Sequence, residues 1–288
     1  MPETAPIRLA YSPDSDDAFM FWAVLHGRID TRGLSFEHAR ADTESLNRGA
    51  ETEDRPDVSA VSIHQYAYLA RDYLLLPHGG SVGAGYGPVL VATRPRALSE
   101  LAGARIGVPG LRTTAYLVLR LLLPEFSPVI VPVAPFGRAY EAVRSGEVEA
   151  VLLIHEGRLL YEREGLHRVV ELGEAWSQLT SGLPLPLGGN VIARALGAER
   201  IASVSSLLCE SIAWALANRE EVLSSLLAAE SRPDVPRERA LFDRYLAMYA
   251  NADTLDYGPR GRAAIEELMR RGHEAGVIPH AVTVEFAP

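Results

Sequence analysis

The feature that most constrains this chain is an alternation of short apolar runs with amphipathic stretches. Each apolar run ends abruptly on small or polar residues. "IRLAY" ends at Ser12, "SAV" at Ser62, "IGV" in a Pro-Gly turn that leads through Gly110 to Thr114, and "VLLI" at His155. Short β-rich runs separated by helix-period segments predict an α/β fold with largely parallel sheets. In the first set, "IRLAYS", "LSFEHA" and "DVSAVSI" read as strands. Between and after them "DDAFMFWAVLHG", "DTESLNRGAE" and "HQYAYLA" read as helices. Asp16 and Asp17 suit the first turn of the first helix, Gly27 its stop, and Asp42 or Thr43 the cap of the second. The aromatic residues of "AFMFWA" fall at helical spacing and read as core.

A glycine-rich stretch, "GGSVGAGYG", interrupts the pattern and reads as a flexible loop at a cleft rim. A first crossing between lobes is expected near Ala92–Arg96, and a second set of alternations follows. The chain recrosses near "SGLPLPLGGNVIA", whose Pro-Gly richness reads as a rigid interlobe linker. From about Ala198 the pattern is long amphipathic helices, one of nearly thirty residues. The expected division is residues 1–93 with 190–288 in one lobe and 94–189 in the other.

Composition narrows the chemistry. The formal charge of −9 disfavours a polyanionic partner, so nucleic acid is not expected. The N-terminus lacks a basic segment followed by an apolar one, and no run approaches the ~20 apolar residues that span a bilayer. The expected location is the cytoplasm, with no membrane partner. A single cysteine, Cys209, leaves no disulfide framework within the chain and no cysteine metal cluster. All 28 basic residues are arginine. A chain without lysine forms no lysine Schiff base, holds no covalent pyridoxal phosphate and has no P-loop lysine. The glycine cluster precedes a strand rather than opening a helix, so it does not read as a dinucleotide loop.

In open α/β sheets, ligands sit beyond the carboxyl ends of strands. That rule gathers Ser12, Ser62, Gly110 to Thr114 and His155 at one cleft. His155 is either a general base of tunable protonation or a polar end-stop to a buried strand. A metal reading of His155-Glu156 fails because the residue four positions on is Leu159, not a second ligand. Glu156 reads as a capping or surface residue, since adjacent strand side chains point to opposite faces. Thr113 suits a helix N-cap, and the hydroxyls of Thr113 and Thr114 with the first-turn amides suit an anion. "SPDSDD" lacks calcium-loop spacing. Its acids read as cap and first-turn residues.

The motifs "SP…DDAFMFWAVLHGRID", "SVGAGYGP", "VPGLRTTAY", "GEVEAVLLIHEGRLLY" and "GLPLPLGG" follow one another along nearly the whole chain. In that order they resemble the 1,4-dihydroxy-6-naphthoate synthase family of the futalosine route to menaquinone. The resemblance implies a two-lobed fold similar to type 2 periplasmic binding proteins, with an interlobe cleft. It implies cleavage of cyclic dehypoxanthinyl futalosine to 1,4-dihydroxy-6-naphthoate and dihydroxyacetone, without a cofactor. It further implies His155 as the base, and Ser62, Thr114 and Ala115 in contact with a small anionic aromatic substrate. Two departures stand out. "SPDSDD" occupies the place where "SPCPND" is common, and Ala60 stands where a lysine is frequent. The second leaves Arg112, or the amides near Thr114, to meet the substrate carboxylate. A binding-only paralogue of the same fold is the alternative expectation.

Overall fold

In the computed structural model, which describes residues 5–132, 135–232, 235 and 237–288, the alternation divides between two sheets. The first carries β1 (Ile7–Tyr11), β2 (Phe36–Arg40), β3 (Val58–Ser62), β4 (Tyr73–Leu75) and β5 (Ser81–Gly83). The second carries β6 (Val89–Ala92), β7 (Arg105–Val108), β8 (Ser127–Ile130), β9 (Ala150–Leu153) and β10 (His167–Glu171). A late strand, β11 (Leu185–Ala193), returns to the first sheet. The sheet orders are β2-β1-β3-β11-β4, with β5 also on β11, and β10-β6-β9-β7-β8. β3, β6 and β9 are buried along their whole length, as their unbroken apolar or small character requires.

Each sheet has a parallel half. β1 pairs with β2 and β3, and β7 with β8 and β9. The strands that carry the chain between sheets run the other way: β6 is antiparallel to β9, and β11 to β3. Both enter at the cleft and run away from it, while the parallel strands run toward it. The expectation of largely parallel sheets is corrected by these two crossing strands.

The lobe boundaries shift for the same reason. Val89 pairs with Leu153, so the first crossing precedes Val89 rather than lying at Ala92–Arg96. Gly188 pairs with Ser62 and Leu185 with Gly83, so "LPLGGN" is strand, not linker, and the second sheet is left before Leu185. Part of the glycine-rich stretch is likewise β5, buried against β11.

Helices cover the sheets. α1 (Ser15–Leu25), α2 (Thr43–Gly49) and α3 (Ile63–Leu69) follow the first three strands. α4 (Thr114–Leu122), α5 (Phe136–Arg144) and α6 (Leu172–Leu179) belong to the second set. The remainder is α7 (Ala198–Ala217), α8 (Arg219–Ala229), α9 (Arg239–Tyr249), α10 (Ala252–Leu255) and α11 (Gly258–Glu274). The single long helix expected after Ala198 is thus two. Asn218, at φ −116° and ψ 33°, breaks it, and its side-chain amide donates to Trp214 O at 2.8 Å. An asparagine that bonds the backbone locally competes with helix continuation.

α7 has the length and, at a mean hydropathy of 1.2, the composition of a membrane span, which the sequence reading did not register. Here it packs on α1, where Ser211 Oγ donates to Met20 O at 2.8 Å. The C-terminal helices do not belong to one lobe. Phe19 and Trp22 of α1, Val89 and Val151 of the second sheet, and Ala215, Val222, Phe242 and Leu246 of α7 to α9 share one buried cluster.

Candidate active site

Four strands end at one cleft. Ser12 follows β1, Ser62 closes β3, Thr113 to Ala115 follow β7, and His155 follows β9; all line the cleft. Of the seven candidate site residues, six line this cleft: Ser12, Ser62, Thr113, Thr114 and His155, which the strand-end rule gathers, and Ala115, which the resemblance implied; Gly110 and Leu111, also gathered by the rule, do not.

Arg112 is the exception and does not line this cleft. Its guanidinium lies 3.3 Å from the Tyr68 ring centroid, and its Nε is 3.7 Å from Glu51 Oε1. Cation–π attraction and an acidic partner hold it on the far side of the loop. As a partner for a ligand in the cleft, Arg112 is corrected.

Helix starts crowd the cleft wall. Ser62 occupies the N-cap of α3, yet its side chain makes no capping bond. Asn47 clamps it instead, accepting from Ser62 N at 2.9 Å and donating to Ser62 Oγ at 3.2 Å. Thr113 caps α4: its Oγ1 accepts from Tyr116 N at 3.2 Å and donates to Gly110 O at 2.9 Å. Thr114 Oγ1 donates to Leu187 O at 2.7 Å and accepts from His64 N at 3.1 Å, tying α4 to the first sheet. Both threonine hydroxyls are thus committed to the protein. Among the described hydrogen bonds the amides of Thr114 and Ala115 take no partner. Those first-turn N–H groups lie at the positive end of a helix, where an anion is favoured.

His155, just past β9, is in an unusual backbone state, with φ at 51°. Left-handed non-glycine residues are uncommon, and such outliers gather at functional sites. Its ring is held from both ends. Nε2 lies 3.0 Å from Thr43 Oγ1; Nδ1 lies 3.1 Å from Asp14 Oδ2 and 3.3 Å from the Tyr245 hydroxyl. The Tyr245 hydroxyl in turn donates to Asp16 Oδ1 at 3.2 Å, and Ser81 Oγ donates to Asp16 Oδ2 at 2.9 Å.

Behind the histidine, Arg232 reaches Asp14 at 2.5 Å, Glu230 at 2.7 Å and Glu156 at 3.2 Å. Burial alone pushes the Asp14 carboxyl up, but His155, Arg232 and a hydrogen bond from Ser12 together hold it below the usual carboxylate value. Burial pushes Asp16 up. Asp17 is pushed up to about 8 by burial and by the nearby Asp16. Glu156 is pushed up to about 8 by burial and by Asp14, in spite of Arg232. One guanidinium shared among three carboxyls does not neutralise all of them.

Two expectations change here. Glu156 is buried, not a surface or capping residue, because the turn after β9 folds it onto Arg232. Asp14 sits at the N-cap of α1 but makes no capping bond, its carboxylate being drawn to His155 and Arg232. Thr43, Asp16, Ser81, Tyr245 and Tyr249 also line the cleft and were not singled out as site residues. Tyr245 and Tyr249 stand four residues apart on an amphipathic helix, a spacing equally suited to plain packing.

Two sheets joined by antiparallel crossing strands, with a cleft at their strand ends, define the class as the two-lobed binding-protein-like fold. The alkanesulfonate-binding protein SsuA from Xanthomonas axonopodis pv. citri, solved bound to MOPS, shares it with a TM-score of 0.69 at 15% identity, over 99% of this chain and 98% of that one. The particular family follows from closer relatives. A family model described as menaquinone biosynthesis matches residues 7–274. A 1,4-dihydroxy-6-naphthoate synthase from Thermus thermophilus is 39% identical over 272 residues, covering 94% of this chain and 95% of the relative. One from Streptomyces coelicolor is 37% identical over 280 residues, covering 95% of each. A crystal structure of an Archaeoglobus fulgidus protein superposes with a TM-score of 0.84 at 42% identity, over 94% of this chain and 98% of that one. The chain belongs to the menaquinone biosynthesis family.

Proposed function

We propose that this chain, a 1,4-dihydroxy-6-naphthoate synthase by its relatives, cleaves cyclic dehypoxanthinyl futalosine with His155 as general base. The substrate carboxylate is received by the Thr114 and Ala115 amides and the Ser62 hydroxyl. This places the reacting sugar remnant on the His155 side of the cleft. His155 removes a proton from that remnant. The freed electron pair forms a carbonyl in the remnant as the carbon–carbon bond to the bicyclic part breaks; that bond's pair passes to the bicyclic part, which takes the proton back from His155 and whose second ring becomes aromatic as 1,4-dihydroxy-6-naphthoate. The remnant leaves as dihydroxyacetone. Closure of the lobes excludes water and holds both halves of the substrate in register.

One observation carries this reading. One cleft is lined both by an imidazole, fixed at 3.1 Å from a carboxylate and at 3.0 Å from a threonine hydroxyl, and by a helix start with two amides that take no partner among the described residues. Free helix-start amides and an oriented base in the same cleft suit proton abstraction from a substrate that also carries a carboxylate.

Incubation of purified His155→Ala with the substrate, and measurement of the naphthoate by mass, is the direct test. A positioned histidine base contributes ~10²–10⁴-fold, so turnover falls by at least that order while the fold is retained. Turnover close to wild type would sink the assignment.

A further inference from the structure

We propose that Asp14 is a positioning residue for His155: it accepts the Nδ1 proton, fixes the ring in one tautomer, and leaves the Nε2 lone pair as the proton acceptor in the cleft. This rests on the reading of His155 as the base, and adds to it the group that makes the base competent.

The hydrogen-bond inventory around Nδ1 decides the tautomer. An ionised carboxylate only accepts. Asp14 Oδ1 already takes Arg232 Nη1 at 2.5 Å, and its Oδ2 faces Nδ1 at 3.1 Å. The other neighbour is the Tyr245 hydroxyl at 3.3 Å. Its single proton goes to Asp16 Oδ1 at 3.2 Å, so only a lone pair remains for the ring. Two acceptors face Nδ1, and Nδ1 therefore carries the hydrogen. Nε2 is then unprotonated, with the Thr43 hydroxyl donating to it at 3.0 Å until substrate binds. The carboxylate also balances the imidazolium that forms once the proton is taken.

The depth of the arrangement argues for a positioning role. The Asp14 side chain is 8% exposed and that of Arg232 16%, so the pair is little screened by water. Arg232 and a hydrogen bond from Ser12 counter the burial of Asp14 and favour its charged form. Arg232 lies between α8 and α9 and is itself tied to Glu230 at 2.7 Å, which limits the freedom of Asp14 to turn away.

Asp14→Asn tests this with one atom changed. Arg232 only donates, so it claims the amide oxygen of the new side chain. The NH₂ group then faces Nδ1, which must accept, and the proton moves to Nε2, where no base remains. With the full-length enzyme, kcat is expected to fall by ~10²-fold or more with KM little changed. The second readout is the ¹⁵N spectrum of histidine-labelled protein at alkaline pH, with the His155 signals identified by their loss in His155→Gln. Wild type should show a protonated Nδ1 and a bare Nε2, and Asp14→Asn the reverse. A wild-type spectrum with Nε2 protonated would overturn the proposal even if the variant failed to fold. So would an Asp14→Asn enzyme with wild-type kcat. If His155→Ala is inactive while Asp14→Asn is not, only the positioning role falls. If His155→Ala stays active, the base assignment falls first.

Discussion

Glu156 shows how one residue's protonation is set by its neighbours. Its carboxyl is pushed up to about 8 by burial and by Asp14, and its Oε2 has no hydrogen-bond partner among the described residues. In the unfolded chain it titrates near the ordinary value for glutamate, about 4.3. The folded state therefore holds this proton more tightly. The contribution is fully present below about pH 4.3 and is lost as pH rises through about 8, because the buried group must then ionise. Asp14 has the opposite sign: its depressed value stabilises the fold above the unfolded pKa and is lost as pH falls through the folded one. Glu156→Gln mimics the neutral acid. Its Tm should exceed that of wild type by a margin that grows from about pH 4.3 to about 8 and then levels off, by ~2–4 °C for each kcal/mol recovered. Thermal melts of both proteins from pH 5 to 9 check this, and a gap that does not change with pH would refute it. Sequence reading placed Glu156 at the surface because strand side chains alternate, but the strand has ended at Leu153 and the alternation no longer applies.

The first crossing between sheets is held by the start of α6. Glu171 caps that helix, accepting from Glu174 N at 2.7 Å, and also accepts from Gly87 N. Leu172 N donates to Pro88 O at 2.9 Å. Gly173 completes the fit, because a Cβ there would overlap the carbonyl of Tyr86 in the crossing backbone. Two effects oppose each other in Gly173→Ala. Helix propensity favours alanine by ~0.5–1 kcal/mol. Forcing the crossing backbone aside costs ~1–3 kcal/mol, and the obstacle is main chain rather than a flexible side-chain end. The clash should win, lowering stability by about 1–2 kcal/mol in urea unfolding. A variant as stable as wild type would show that the crossing yields freely. None of this was legible from "ELGEAW", since the sequence does not say which backbone passes over a given glycine. The strands themselves were legible, because apolar run length and helix period are local properties.

The whole molecule is a cleft whose two walls come from different sheets. Ser62 and Gly188 lie on the first, and Thr114 to Ala115 with His155 on the second. A ligand that touches both walls binds the folded, closed arrangement and stabilises it by mass action. Added 1,4-dihydroxy-6-naphthoate should therefore raise thermal stability by about 2.7 kcal/mol at about 100 times its Kd. Under anaerobic conditions 1,4-dihydroxynaphthalene, without the carboxylate, should give a much smaller rise, because the Thr114 and Ala115 amides go unused. Equal shifts with both compounds would count against the amide cradle. The sequence by itself determined the alternation, the ends of the strands, the Thr113 cap and so the part of the cleft lining that lies at strand ends. Each of these depends on a few neighbouring residues, and sheet geometry then gathers strand ends at one place. Only the tertiary structure decided which charges meet. Arg232 reaches Asp14 across 218 positions and Tyr245 reaches Asp16 across 229, while Arg112 turns from the cleft to Tyr68. A charged side chain gives no local sign of its partner. Its place is set by where burial leaves a charge that must be paired, and that is known only once the chain has packed.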